Sequence, residues 1–151
     1  NKGITDRLRK ESAKITMMDG MDISLCSWDR KTNKFQFSGA MNPVLICSDD
    51  KLIEFKGTKE AIGGINHGRE FETINHQLNE GDMIYLFSDG FQDQFGGSKG
   101  KKFKYKNLKD LLLSLSKQEL SKQHSALKEM HLEWKGDLEQ LDDICLMGVR
   151  V

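Results

Sequence analysis

The chain has 151 residues, enough for one domain with a hydrophobic core of its own. Lysine plus arginine and aspartate plus glutamate balance at 23 each, so no overall field favours nucleic acid or a membrane surface. No apolar run is long enough to span a bilayer, and the first residues lack the apolar core of a signal peptide. We therefore expect a cytoplasmic protein that contacts neither nucleic acid nor a membrane.

The cysteines and histidines give no sign of a metal site. Cys26, Cys47 and Cys145 are far apart and lie in apolar, strand-like runs, which predicts reduced, buried thiols rather than disulfides or zinc ligands. The four histidines show no ligand spacing with these cysteines, so we interpret them as surface or helix-face residues.

The first half of the chain predicts one helix followed by antiparallel strands. A charged helix is expected over residues 5–15, with a turn at Asp19-Gly20. Strands are predicted over residues 22–29, around Phe35 and Phe37 after a turn at Asn33, and as a hairpin over residues 44–47 and 52–55. In the first strand Ile23 and Leu25 point to one face and Cys26 and Trp28 to the other, which predicts that both faces are partly covered.

The second half predicts two core strands separated by helices. A glycine-rich loop covers residues 57–68, a weaker strand follows over residues 70–78, and an apolar strand runs over residues 83–87. A helix is expected with Asn107 as its N-cap and with Leu108, Leu111, Leu112 and Leu115 inward. A second helix is expected over residues 120–134, with Leu120, Leu127, Met130 and Trp134 inward and Gly136 as its end. With the last strand over residues 144–149, this order predicts an α+β fold of antiparallel hairpins with helices packed on them.

Carboxylates stand at the ends of the two most apolar runs. Ser88-Asp89-Gly90 follows residues 83–87, which are long enough for a strand buried on both faces, and Asp142-Asp143 directly precedes residues 144–149. Two core strands of this kind can bring both carboxylates to one rim, as a hard divalent cation requires. Aspartate beside glycine more often serves as a turn residue. The residues alone leave both interpretations open.

Taken together, the motifs resemble the metal-dependent serine/threonine phosphatases of the protein phosphatase 2C superfamily, and more closely their bacterial SpoIIE/RsbU-type branch. The matching segments are Gly81-Asp82, Ser88-Asp89-Gly90, Asp142-Asp143-Ile144, Asp19-Gly20-Met21-Asp22, Trp134-Lys135-Gly136, and Phe37-Ser38-Gly39-Ala40-Met41-Asn42-Pro43, which is similar to that branch's Ala-Gly-x-Asn-Pro segment. The resemblance covers residues 15–151, and the order and spacing of the motifs are more specific than any one of them.

The resemblance implies a fold, a reaction and a set of metal ligands. The fold is an α-β-β-α sandwich of antiparallel sheets flanked by helices, and the reaction is hydrolysis of phosphoserine or phosphothreonine on a regulatory protein by a metal-activated water. Asp89 and Asp142 would bind Mn²⁺ or Mg²⁺ in a two-metal site, and Asp93 would help to hold a further, weakly bound metal. Gly90 would allow a tight turn, and Asp143 would form a turn or support the ligands. No catalytic residue separate from the metal ligands is implied.

The chain departs from the family pattern at its start. The family opens with an Asp-containing segment and Gly-His-Gly, whereas no His-Gly occurs here before residue 19 and His67-Gly68 lies in the wrong place. We therefore expect residues 1–151 to be a single, N-terminally truncated phosphatase domain with weak metal binding and little activity. Sheet edges exposed by missing strands favour self-association as a homodimer.

The remaining expectations concern partners. By family analogy the substrate is a phosphorylated protein of the anti-sigma-factor antagonist type, and a sensor or signalling domain precedes this one in the parent chain. The alternative is a non-catalytic, phosphatase-like module that binds a partner protein. Residues 99–106 are lysine-rich, and we favour a solvated loop with Phe103 and Tyr105 packed inward over a segment that guides phosphate or binds nucleic acid.

Overall fold

The computed structural model describes residues 20–63 and 68–151; the helix predicted over residues 5–15 and the Asp19 turn lie outside them. The described strands are β1 (Ile23–Asp29), β2 (Lys34–Ala40), β3 (Val44–Ser48), β4 (Lys51–Phe55), β5 (Ile74–Gln77), β6 (Met83–Phe87), β7 (Phe95–Gly96), β8 (Lys101–Lys102) and β9 (Leu146–Arg150). The described helices are α1 (Gly90–Asp93), α2 (Tyr105–Leu115) and α3 (Leu120–Lys135). These elements form two compact units, the first around β1, β2 and β5 and the second around β6, β9 and the helices.

The first unit contains an antiparallel sheet of three strands in the order β1-β2-β5. Its centre is β2, where Phe35 and Phe37 are buried and alternate with more exposed residues, as the sequence predicts. Asn33 adopts a positive φ of 53° in the turn that joins β1 to β2. The expected cover on both faces of β1 is wrong at Leu25, whose side chain is 67% exposed, so among the described residues little packs on that face of the strand.

The second unit contains a sheet of four strands in the order β4-β3-β6-β9. The predicted hairpin of β3 and β4 is confirmed, and Asp49 and Asp50 in its two-residue turn both have positive φ values, 47° and 61°. Every side chain of β6 except the half-buried Leu86 is buried, as predicted. The core joins this sheet to the helices and contains Leu45, Cys47, Met83, Tyr85, Phe87, Phe91, Phe103, Leu108, Leu112, Leu115 and Leu127.

The start of α2 differs from the prediction. The helix begins at Tyr105, after Lys104 with a φ of 78°, so the N-cap is not Asn107. Asn107 lies within the first turn, and its side-chain amide donates to the carbonyl of Phe103 at 2.7 Å. The inward packing predicted for the aromatic residues of the lysine-rich segment is confirmed, since Phe103 is buried and Tyr105 packs against the core.

The last strand is less buried than expected. β9 begins at Leu146 rather than at residue 144 and lies at the edge of its sheet, with Met147 54% exposed. The predicted burial of all three thiols is wrong, because Cys47 is buried but Cys26 is half-buried and Cys145 exposed; all three are free. Leu120, at the start of α3, is also exposed rather than inward. Within the described residues no helix is both long and apolar enough to cross a bilayer.

Candidate metal centre

The register of β6 and β9 brings the two carboxylate-bearing segments to one end of the sheet. Phe87, the last residue of β6, pairs with Leu146, the first residue of β9. Because the strands are antiparallel, the chain that leaves β6 lies beside the chain that enters β9. Asp89 follows β6 by two residues and Asp142 precedes β9 by four, so both occur at the same rim.

Ser88 connects these two segments through hydrogen bonds. Its amide donates to the carbonyl of Cys145 at 2.9 Å. Its hydroxyl donates to the carbonyl of Asp143 at 2.9 Å and accepts the amide hydrogen of Cys145, also at 2.9 Å. One residue therefore ties the end of β6 to the backbone on the C-terminal side of Asp142.

Gly90 lets the same segments approach closely. A β-carbon at this position would overlap the carbonyl oxygen of Asp143 and crowd the side chain of Ile144. The sequence resemblance predicts a tight turn at Gly90, and the structure shows that the need for glycine here is the lack of space beside Asp143.

The carboxylates of Asp89 and Asp142 are both exposed at this rim. Asp89 occupies the N-cap position of α1, but no side-chain capping bond forms there within the described part of the chain. One carboxylate oxygen of Asp142 accepts the amide hydrogen of Asp143 at 2.7 Å. Exposed carboxylate oxygens suit Mg²⁺ and Mn²⁺, so these two residues fit part of a divalent metal site.

Asp93 is held differently from the other two acids. Its carboxylate forms an ion pair with Lys102 of β8 at 2.8 Å, and both side chains are about half exposed. Across residues 20–63 and 68–151, no three His, Cys, Asp or Glu side chains are grouped closely enough to hold a metal ion. The described residues thus provide two exposed carboxylates and a third that is already paired with a lysine.

Gln94 is a further residue of this region, which the sequence does not single out. It is only 2% exposed, and its side-chain amide donates to the carbonyls of Phe95 at 3.0 Å and Glu139 at 2.9 Å. Its own backbone carbonyl accepts hydrogen bonds from the Trp134 indole and from the amide of Phe103. Gln94 stands between Asp93 and Phe95 in a segment without a hydropathy pattern that predicts its burial, so the sequence offers no signal for this role.

A groove of about 500 Å³ lies on α3 in the same unit, lined in part by His124, Lys128, His131, Tyr85 and Leu146. The Nε2 atom of His131 is buried and has no hydrogen-bond partner among the described residues. Burial lowers the pKa of His131 below its ordinary value of 6.5, and the charge of Lys135 lowers this pKa further.

Comparison with known protein families identifies the family to which this chain belongs. The family model of Stage II sporulation protein E (SpoIIE) matches residues 3–151. The chain belongs to the SpoIIE family. No curated protein sequence matches it significantly.

Solved structures of phosphatase domains have a similar fold. The SiaA-PP2C domain of Pseudomonas aeruginosa is similar with a TM-score of 0.85 and 28% identity, over 97% of this chain and 57% of that one. The phosphatase domain of SpoIIE from Bacillus subtilis gives a TM-score of 0.63 and 17% identity, over 99% of this chain and 65% of that one. The catalytic domain of the serine/threonine protein phosphatase PstP, in complex with two manganese ions, gives a TM-score of 0.62 and 17% identity, over 97% of this chain and 64% of that one.

These similarities confirm the predicted fold class, an α+β protein phosphatase 2C-like fold with antiparallel sheets. The SpoIIE-family chain spans between about half and two thirds of the three phosphatase structures compared. The chain therefore combines membership of the SpoIIE family with a protein phosphatase 2C-like fold.

Proposed function

We propose that this SpoIIE-family chain is a single phosphatase domain, lacking its first strands, from a metal-dependent serine/threonine phosphatase. In this proposal the parent protein hydrolyses phosphoserine or phosphothreonine on a regulatory protein. The observation that carries the proposal is the pair of exposed carboxylates, Asp89 and Asp142, at adjacent strand ends joined through Ser88. Oxygen ligands in such a pair suit Mn²⁺ or Mg²⁺.

Asp89 and Asp142 would each supply carboxylate oxygens to the metal site. The bound metals would lower the pKa of a water molecule and neutralise charge on the phosphate. Gly90 would keep the Asp89 turn against the Asp143 backbone, and the amide of Asp143 would orient the Asp142 carboxylate through the hydrogen bond at 2.7 Å. Asp143 is thus proposed as a supporting residue, and no separate catalytic side chain is required.

Asp93 is proposed as a ligand of a further, weakly bound metal. Because its carboxylate is paired with Lys102 at 2.8 Å, binding there requires the exchange of an ion pair for a metal bond. Because Lys102 competes with the metal for the Asp93 carboxylate, we expect Asp93 to bind metal more weakly than the site at Asp89 and Asp142 does.

A complete two-metal site needs more charge than two carboxylates provide, because affinity for hard cations rises with the number and charge of the oxygen ligands. The phosphatase structures similar to this chain are longer than it. We therefore propose that residues 1–151 alone bind metal weakly and have low activity, and that the longer domain supplies the missing carboxylate.

The family analogy also supports proposals about partners. The substrate is a small phosphoprotein of the anti-sigma-factor antagonist type, in the cytoplasm, and an upstream sensor or signalling domain controls the activity.

A second candidate function is a phosphatase-like module that binds a partner protein without catalysis. One observation favours it. Among the described residues, no three Asp, Glu, Cys or His side chains lie close enough together to hold a metal ion.

Hydrolysis of para-nitrophenyl phosphate with Mn²⁺ tests the two candidates. The assay is made on this chain and on the domain extended upstream, each with Asp89→Asn and, as a matched control, Asp110→Asn on the exposed side of α2. We expect activity in the extended domain only, reduced by at least about 100-fold by Asp89→Asn and unchanged by Asp110→Asn. No activity in either chain would reject the phosphatase and favour the binding module.

A further inference from the structure

Two side chains that flank Asp89 each reach across to the segment that contains Asp142. Ser88, directly before Asp89, binds the backbone of Asp143 and Cys145. Gln94, five residues after Asp89, binds the backbone carbonyl of Glu139. The two attachment points therefore lie on either side of Asp142.

The segment that they hold has little other support from burial. Residues 136–143 are all exposed, and they connect the end of α3 to the approach to β9 without helix or strand structure. Burial of apolar surface therefore contributes little to fixing the Asp142 carboxylate in space. The position of the Asp142 carboxylate therefore depends on hydrogen bonds from the better packed residues around Asp89.

The contact made by Gln94 has a defined direction. Both of its partners, the carbonyls of Phe95 and Glu139, are acceptors, so the NH₂ end of the side chain must face them. Burial to 2% exposure restricts the side chain and protects these bonds from competition by water. A side chain of similar volume without donors would fill the same space and lose the attachment.

The contact made by Ser88 is reciprocal. Its hydroxyl donates to the Asp143 carbonyl and accepts the Cys145 amide hydrogen, each at 2.9 Å. A threonine retains this hydroxyl, whereas an alanine removes it and leaves the backbone amide of Cys145 without this partner.

We infer that Ser88 and Gln94 are positioning residues that hold the Asp142 segment in register with the Asp89 turn and so set the affinity of the metal site. The inference rests on the proposed phosphatase function. Neither residue binds the metal; each acts through backbone groups on one side of Asp142. Residues that orient metal ligands typically change metal affinity by 10- to 100-fold when they are replaced.

The test measures Mn²⁺ binding to the full-length protein by electron paramagnetic resonance of the free ion, together with the thermal unfolding midpoint without metal. We expect Ser88→Ala and Gln94→Met to weaken Mn²⁺ binding by about 10-fold, and Ser88→Thr to restore it. Ser114→Ala is the matched control, because its hydroxyl binds only the Leu111 carbonyl within α2 among the described contacts.

The outcomes separate this inference from the function on which it rests. If the wild-type protein binds no Mn²⁺, the proposed phosphatase is rejected. If the wild type binds but Ser88→Ala binds within twofold of it, the positioning role is rejected, whatever the behaviour of Gln94→Met. A lower unfolding midpoint in Ser88→Ala with unchanged affinity would assign Ser88 to stability alone and equally overturn the inference.

Discussion

Gly90 and Asp143 meet backbone to backbone, with no space between them for a β-carbon. The contact joins the first residue of α1 to the segment that enters β9, 53 positions later in the sequence (143 − 90). It therefore controls how closely the Asp89 turn can approach the Asp142 segment.

Replacement of Gly90 by alanine should separate these segments. We expect Gly90→Ala to lower the free energy of unfolding by about 1–3 kcal/mol, because the added methyl group forces a backbone shift. Urea unfolding measures this change. Gly148→Ala is the control, since its β-carbon would approach the Met83 methyl group and the Tyr85 ring only to 3.3 Å. An effect of Gly90→Ala no larger than that of Gly148→Ala would contradict the close contact.

The ion pair of Asp93 and Lys102 should contribute little to stability. Because both side chains are about half exposed, we expect Lys102→Met to change the free energy of unfolding by less than about 1 kcal/mol. If Asp93 is a metal ligand, the same substitution should strengthen Mn²⁺ binding to the extended domain, measured by calorimetry. Unchanged or weaker binding would remove Asp93 from the ligand set.

The three thiols should differ in their rates of alkylation. Burial raises the pKa of both Cys26 and Cys47 to about 11, so at pH 8 little of either thiol is in the reactive thiolate form. Cys145 is exposed. We expect iodoacetamide to label Cys145 first and Cys47 only after denaturation, as measured by mass spectrometry of peptides. Rapid labelling of Cys47 in the folded protein would contradict the described core.

Acid should destabilise the second unit through His131. Since the pKa of His131 is lower in the folded protein than its ordinary value of 6.5, the unfolded state binds the proton more tightly. Stability from the neutral imidazole is therefore fully present above pH 6.5 and is lost as the pH falls below that value. Urea unfolding from pH 5 to pH 8 should show a slope in this window that His131→Gln reduces. An equal slope in the variant would assign the pH dependence to other groups.

The isolated chain should self-associate. β9 is an edge strand, and the side chains of Leu141 and Met147 near it are exposed. Exposed apolar groups beside an edge strand favour pairing with a second copy. Light scattering at high protein concentration measures this, and a monomeric mass would count against it.

The sequence predicts elements better than it predicts which neighbours they have. The apolar run of β6 gives its bounds correctly, because five consecutive apolar residues ended by Ser-Asp-Gly suit a central strand. The run before the C-terminus looks similar, but β9 is an edge strand, and no local pattern distinguishes the two positions. Asn107 is a common N-cap residue, yet the helix starts three residues earlier, after Lys104 with its positive φ.

In the candidate site, too, the sequence predicts the local motifs but not the contacts between distant segments. The motifs around Asp89 and Asp142 are visible in the sequence because each lies beside a strand. The contacts of Ser88 with Cys145 and of Gln94 with Glu139 span 57 and 45 residues, and such hydrogen bonds leave no trace in local spacing. The pairing of Asp93 with Lys102 likewise depends on the β7–β8 hairpin rather than on a motif.

The sheet order has a consequence for motion at the candidate centre. β6 has a hydrogen-bonded neighbour on each side, whereas β9 lies at the end of the order β4-β3-β6-β9. Amide hydrogens of an edge strand exchange with solvent through smaller local openings than those of a central strand. We therefore expect the amides of β6, which precedes Asp89, to exchange more slowly than those of β9, which follows Asp142. A cation bound by both Asp89 and Asp142 would reduce the difference in exchange rate between the two strands. The largest gain in protection from hydrogen exchange would then appear along β9.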